Sequence, residues 1–258
     1  MDDFYLDEKG LGGYFEAEWL DKLKALNVAK PLDCRMKDVP EDFAVSTSTS
    51  VVANFIERNL QDAGVAPQTA LEVGPALGRN CYELIQRFPS VEYATLVEPS
   101  FRLLSNLKKI LIDGDGCNFS YIHAYKNIKE FYFSTRDFSD ACEHVTFNCL
   151  NSTFDSETVS DTFDVTMCMN VLDQCESPNE IVLGLKEATN KGGVLFLSCT
   201  YQWKKYHFDD ESVPLNDIND YFGDGWEKLD ESDYEYKIRF NERFSRLFMT
   251  HIVAYRKK

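Results

Sequence analysis

Leu71-Glu72-Val73-Gly74-Pro75-Ala76-Leu77-Gly78-Arg79 is the stretch that decides how this chain folds. The apolar run Ala70–Val73 reads as a buried strand, and an amphipathic pattern over Arg79–Phe88 opens directly behind the second glycine. Gly74 and Gly78 let the backbone turn tightly and approach a ligand with no Cβ in the way. The spacing E-x-G-x-x-x-G differs from the G-x-G-x-x-G of dinucleotide enzymes, which argues against a nicotinamide-dependent dehydrogenase. The next apolar run, Tyr93–Val97, ends at Glu98, about twenty positions beyond Gly78. An acid at that distance can accept hydrogen bonds from both ribose hydroxyls of an adenosine. Loop and acid together point to a ligand that contains a nucleoside.

Outward from this loop, short β-branched runs alternate with longer amphipathic ones, the pattern of a mostly parallel sheet covered by helices. Further strands are expected at His144–Asn148, Phe163–Met169 and Val194–Cys199, and further helices at Ser100–Ile112 and Pro178–Thr189. Ser100 and the pair Ser177-Pro178 are good helix openers. Tyr236–Phe240 and Leu247–Tyr255 are separated by only a few polar residues, so they predict an antiparallel pair closing the sheet. The expected fold is α/β: a Rossmann-like, mostly parallel seven-stranded sheet with an antiparallel C-terminal pair and helices on both faces. Residues 1–68 read as an N-terminal helical cap, with helices over Phe15–Leu26 and Ser50–Asp62. Residues 69–258 read as the core, interrupted by an aromatic-rich insertion at 114–140 that either folds over the ligand edge as a lid or covers apolar surface.

With these pieces in order, the chain resembles the class I S-adenosylmethionine-dependent methyltransferases from about Thr69 to the C-terminus. The resemblance implies S-adenosyl-L-methionine as cofactor and S-adenosyl-L-homocysteine as product. It places Glu72, Gly74 and Gly78 around the methionine end, and Glu98, followed by Pro99, on the ribose. Asn151-Ser152 falls where the family usually has an Asp beside the adenine amine, and an Asn keeps one contact there if its amide is suitably oriented. Phe163–Met169 followed by Asn170-Val171-Leu172-Asp173 resembles the fourth strand and its loop, with Asn170 at the cofactor. Lys191-Gly192-Gly193-Val194-Leu195 resembles the turn into the fifth.

Several stretches are similar to one subgroup, the C-terminal N-methyltransferase domain of ovothiol-synthesis enzymes, which methylates the imidazole of a thiol-bearing histidine. They are Ala70–Gly74 with Gly78–Leu84, Asn170–Gln174 and Ser198–Trp203, with a weaker match at Ile238-Arg239-Phe240 and Arg243. Pro75 departs from the subgroup's pattern, and the first 68 residues match it poorly. The resemblance implies acceptor-side roles for Asp173 and Tyr201 as catalytic residues and for Tyr14, Phe15, Trp203, Arg239 and Arg243 as substrate-binding ones. Plainer roles stand beside these: Tyr201 and Trp203 as anchors packed on the sheet edge, Asp173 as a helix cap, and the two arginines as solvated strand residues.

Composition sets bounds. A chain of 258 residues accommodates one decorated α/β domain. A formal net charge of −16 opposes binding to phosphate backbones, so a small-molecule acceptor is expected and a nucleic-acid partner is not. No apolar run approaches a membrane span and the N-terminus MDDFYLDEKG is acidic, unlike a signal peptide, so a cytoplasmic location is expected. Eight cysteines without a CxxC pair read as reduced core residues, and the four scattered histidines give no metal-binding pattern, so no metal site is expected. An imidazole acceptor, with an unperturbed pKa of ~6.5, is largely neutral in the cell and needs no strong base, whereas a hydroxyl acceptor does. That favours N-methylation of an imidazole or amine. The alternatives are O- or S-methylation of another metabolite, or a non-catalytic adenosylmethionine-binding partner protein. Oligomeric state is open.

Overall fold

The computed structural model describes residues 8–29, 48–124, 127–205, 213–214, 216–241 and 244–258. Two helices come first, α1 (Glu8–Ala29) and α2 (Ser48–Asp62). The alternating unit follows as β1 (Thr69–Val73), α3 (Arg79–Arg87), β2 (Tyr93–Val97) and α4 (Phe101–Lys108). Next come a separate hairpin, β3 (Cys117–Ala124) and β4 (Asn127–Phe133), and the short α5 (Arg136–Asp140). The sheet resumes with β5 (Thr146–Leu150), β6 (Phe163–Met169), α6 (Pro178–Ala188), β7 (Thr189–Cys199), β8 (Trp226–Asn241) and β9 (Phe244–Lys257). The seven-stranded sheet runs β5-β2-β1-β6-β7-β9-β8. Its first five members are parallel, and β9 is antiparallel to both neighbours. The predicted architecture is thus the observed one.

Because the central strands are covered on both faces, both sets of alternating side chains are apolar. Leu71, Val73, Val97, Cys168, Leu195 and Leu197 share a core with α6, while Ala70, Ala94, Leu96, Val165, Met167 and Phe196 share the other core with α1 to α4. Burying each large aliphatic side chain contributes roughly 1.5–3 kcal/mol. Helices α1 and α2 share this second core through Phe15, Trp19, Leu23, Val52, Phe55, Ile56 and Leu60, so the N-terminal segment is continuous with the layer rather than a separate body.

Local chemistry explains most boundaries. Ser100 caps α4 by accepting from the Leu103 N–H at 3.2 Å, and Pro178 opens α6. Gly193 packs where a Cβ would stand 2.8 Å from the Asp164 carbonyl oxygen. The helix expected over Ser100–Ile112 instead ends at Lys108 and continues as a π-helical turn, Lys109–Asp113. There the Thr135 hydroxyl donates to the Lys109 carbonyl at 2.6 Å and accepts the Gly116 N–H at 3.0 Å, tying the turn to the insertion. The insertion is itself an antiparallel ribbon plus α5, with β3 lying against α1 and β8.

Seven cysteines are described, all free and none exposed; Cys34 lies outside the described residues. Burial pushes the thiols of Cys117, Cys142, Cys175 and Cys199 up to about 12. Among the described residues, no helix is long and apolar enough to cross a membrane and no cluster of His, Cys, Asp and Glu could hold a metal.

Candidate functional site

The strand order reverses between β1 and β6: the chain moves from β1 outward to β2 and β5 on one side and from β6 to β7 on the other. In an open α/β sheet, ligands lie beyond the carboxyl ends of the strands at such a switch point. The glycine loop stands there. Gly74 has φ +68°, and a Cβ on it would lie 2.4 Å from Cγ2 of Val171, a residue of the loop that follows β6. Gly78 has φ +84° and caps α3. Ala76, between them, has φ +48°, uncommon for a residue with a side chain.

Three carboxyl groups surround this loop. Glu72, 1% exposed, accepts from the Asn80 side-chain amide at 3.1 Å through Oε1, and its Oε2 is buried with no hydrogen-bond partner. Burial raises its carboxyl to about 7; Asn80 and the Cys81 N–H work against that rise, and the Glu98 charge adds to it. Glu98 accepts the Ser100 N–H at 2.9 Å and the Ala76 N–H at 3.2 Å, one on each oxygen. These bonds orient the Glu98 carboxylate at the end of β2. Glu18, from α1, accepts the N–H groups of Leu77 at 3.2 Å and Arg79 at 3.4 Å. Burial, and then the nearby charge of Glu72, lifts its carboxyl well above the usual range.

The Asn151 amide nitrogen donates to the carbonyl oxygens of Glu98 at 2.9 Å and Pro99 at 3.0 Å. That engages the amide nitrogen with the backbone and leaves the side-chain oxygen as the acceptor end of the amide. Ser152 follows, half-buried. Asn170, with φ +57°, is held by Ser198: its N–H donates to the Ser198 hydroxyl at 3.1 Å and its side-chain oxygen accepts from that hydroxyl at 3.0 Å. Its amide donates to the Tyr234 hydroxyl at 3.3 Å.

The expected acceptor-side residues are not brought together. Tyr14 is half-buried beside the core face that holds Tyr234 and Tyr236, at the same edge as Asn170. Phe15 is 6% exposed and Trp203 8%; each packs in an apolar cluster, and the two clusters lie on opposite faces of the sheet. Asp173 is fully buried and caps no helix: its Oδ2 accepts from the Thr200 hydroxyl and from the Gln202 N–H at 3.0 Å, joining the loops after β6 and β7. Tyr201, with φ +57°, accepts the Ile218 N–H at 3.1 Å and lies 2.7 Å from His251 Nδ1, on the α6 face. Arg239 lies near the tip of the β8–β9 hairpin, its backbone opposite Ser245, and Arg243 lies outside the described residues.

Glu18 stands at the loop and carries no motif of its own, whereas Val171 lies within the Asn170–Asp173 stretch but its contact with Gly74 is not signalled there. The one sequence sign for Glu18 is its place in the helical pattern of α1, one turn after Tyr14.

The strand order, the antiparallel β9 and the glycine loop at the switch point define the fold of the class I methyltransferases. Among solved structures, the chain is similar to magnesium protoporphyrin IX methyltransferase (ChlM) from Synechocystis PCC 6803 with bound SAM, at 15% identity and TM-score 0.52 over 98% of each chain. It is similar to the N-methyltransferase NodS from Bradyrhizobium japonicum WM9, at 10% identity and TM-score 0.50 over 81% of this chain and 97% of that one. A third is coclaurine N-methyltransferase bound to N-methylheliamine and SAH, at 11% identity and TM-score 0.50 over 84% of this chain and 74% of that one. No family model matches the chain, and no curated protein matches it in sequence. The likeness is one of fold.

Proposed function

We propose that this chain is an S-adenosylmethionine-dependent methyltransferase acting on a small molecule, with a nitrogen of an imidazole or amine as acceptor. One observation carries the reading: a buried carboxylate oxygen without a donor, Glu72 Oε2, stands at the switch point beside a loop whose first glycine allows close approach. An unpartnered buried carboxylate is costly unless a cation or donor meets it. The ammonium of a methionyl group supplies three donors, Glu98 is oriented for the ribose hydroxyls, and Asn151 presents an oxygen to the adenine amine. The residues present therefore fit the ammonium, ribose and adenine of the cofactor.

Bound there, the cofactor supplies an electrophilic methyl group on a sulfonium. The protein's part is to hold the acceptor lone pair in line with it and exclude water. Asn170, pinned by Ser198 and Tyr234, and the half-buried Tyr14 stand at the edge where such an acceptor is received. The aromatic rings of Tyr14 and Tyr234 on that side favour a nitrogen that becomes cationic on methylation. An imidazole or amine free base provides its own lone pair, so no residue has to remove a proton first. The free thiols fit a reducing compartment, and we place the protein in the cytoplasm.

Calorimetric titration with S-adenosylhomocysteine and with NAD tests the cofactor; binding of the first and not the second is expected. Glu98→Ala should weaken adenosylhomocysteine by about 1–3 kcal/mol, the scale of losing hydrogen bonds to a charged group. An unchanged dissociation constant in a folded variant removes the ribose assignment. Mass spectrometry of products from histidine, thiohistidines, histamine, simple amines and thiols identifies the acceptor atom, and methylation of thiols alone would sink the nitrogen assignment.

A further inference from the structure

We propose that Glu18 of α1 is a cofactor-binding residue that, with Glu72, forms a two-carboxylate clamp for the ammonium group of an amino-acid-bearing nucleoside. This rests on the adenosylmethionine reading above and adds a residue far from the glycine loop in sequence.

The carboxyl of Glu18 is built into the loop. It accepts from Leu77 and Arg79 at the first turn of α3. Its neighbours on α1 hold it there. Trp19 Nε1 donates to the Leu77 carbonyl at 3.2 Å. The Arg79 guanidinium, 1% exposed at its side chain, takes both Asp21 oxygens at 2.6 Å and also donates to the Glu18 carbonyl. Glu18 is therefore fixed over the loop by three contacts that do not involve its own carboxyl.

Glu72 stands at the same loop: its Oε1 accepts from the Asn80 side chain, one residue beyond the Arg79 N–H that Glu18 accepts, and its charge acts on Glu18. Arg79, the cation that acts on Glu18, is engaged by Asp21 and Glu83. A buried carboxyl, Glu72, beside a half-buried one, Glu18, calls for either a retained proton or a cation between them. A helix cap alone needs neither a second carboxyl beside it nor the unpartnered Glu72 oxygen. An ammonium with three donors satisfies both.

The test compares two ligands that share the nucleoside: S-adenosylhomocysteine, which has the amino-acid tail, and 5′-methylthioadenosine, which lacks it. Glu18→Gln keeps the size of the side chain and an oxygen for the loop N–H groups. The variant should bind adenosylhomocysteine about tenfold or more weakly, while methylthioadenosine stays within about twofold of wild type. Glu18→Asp, which withdraws the charge by one methylene, should show the same selectivity with a smaller loss, and serves if Glu18→Gln does not fold. Unchanged affinity for both ligands, or an equal loss for both, overturns the clamp, the latter because it marks Glu18 as support for the loop. If wild type binds neither ligand, the cofactor reading itself falls and the clamp with it; if wild type binds both, only the clamp is at stake.

Discussion

Glu72 is raised to about 7 from an ordinary 4.5, burial being the main cause, so it makes the stability of the free protein depend on pH. Between those values the folded chain holds a proton that the unfolded chain has released, so stability falls as pH rises from about 4.5 to about 7 and levels off above. The full span is on the order of 3 kcal/mol. Urea unfolding from pH 4.5 to 8 should show that decline, and Glu72→Gln should flatten it; a variant with the wild-type slope would move the effect to Glu18. Gly74 gives a second test. Gly74→Ala places a Cβ against Val171 at a positive φ, and a loss of about 1–3 kcal/mol is expected. Val171→Ala in the same chain should recover part of that loss, and no recovery would mean that backbone strain alone accounts for it. Glu72, Gly74, Glu98 and Asn151 were legible in the sequence because each sits at a strand end, where local pattern and position coincide. Glu18, 54 positions before Glu72, was not, and neither was the contact that Val171, within the Asn170–Asp173 stretch, makes with Gly74, 97 positions earlier. Their roles come from packing between distant segments, which leaves no local spacing to read. For Trp203, Asp173 and Tyr201 the sequence does not separate the two roles, because large or polar residues near strand ends look alike whether they face a ligand or the core.

α1 is the element that the glycine loop depends on. Arg79 lies between Asp21 and Glu83, its guanidinium 5.5 Å from the Trp19 ring centroid. Burial alone would raise Glu83, but Lys22, Arg79 and Arg87 pull it down to about 2. Removing one member of such a buried network leaves charges without partners. Arg79→Met should therefore cost about 3–5 kcal/mol in chemical denaturation and speed hydrogen exchange in α1. A loss under 1 kcal/mol would show that water replaces the guanidinium. Strand and helix identities followed from periodicity, since Tyr93–Val97 and Phe163–Met169 have the bounds expected for them. β8 did not: the pattern showed Tyr236–Phe240 where the strand spans Trp226–Asn241. Its first ten residues, WEKLDESDYE, form an edge segment whose exposed positions are all charged except Ser232. Charges protect an edge from pairing with other chains and also break the apolar alternation that reveals a strand. The ribbon of the insertion was hidden similarly, because a two-stranded hairpin carries no covered second face.

At the scale of the whole molecule, the net charge of −16 acts on the cofactor before contact. S-adenosylmethionine carries a net charge of about +1 and adenosylhomocysteine about zero, so the protein's field should steer the first and not the second. Raising salt from about 20 to 300 mM should slow association of adenosylmethionine several-fold in stopped flow and leave adenosylhomocysteine nearly unchanged. Equal salt dependence for the two would place the negative field away from the site.

The buried thiols give the folded chain internal clocks. A thiol held near 12 is almost wholly protonated at neutral pH and inert to alkylating reagents until its surroundings open, when it returns to ordinary reactivity. Cys81, Cys117 and Cys142 lie in the layer shared with α1, and Cys168 and Cys199 in the layer under α6. Mass-resolved alkylation over hours would therefore time the breathing of each face separately. If ligand binding slows labelling at Cys81 and Cys117 more than at Cys199, the face that carries α1 is the one that tightens around it.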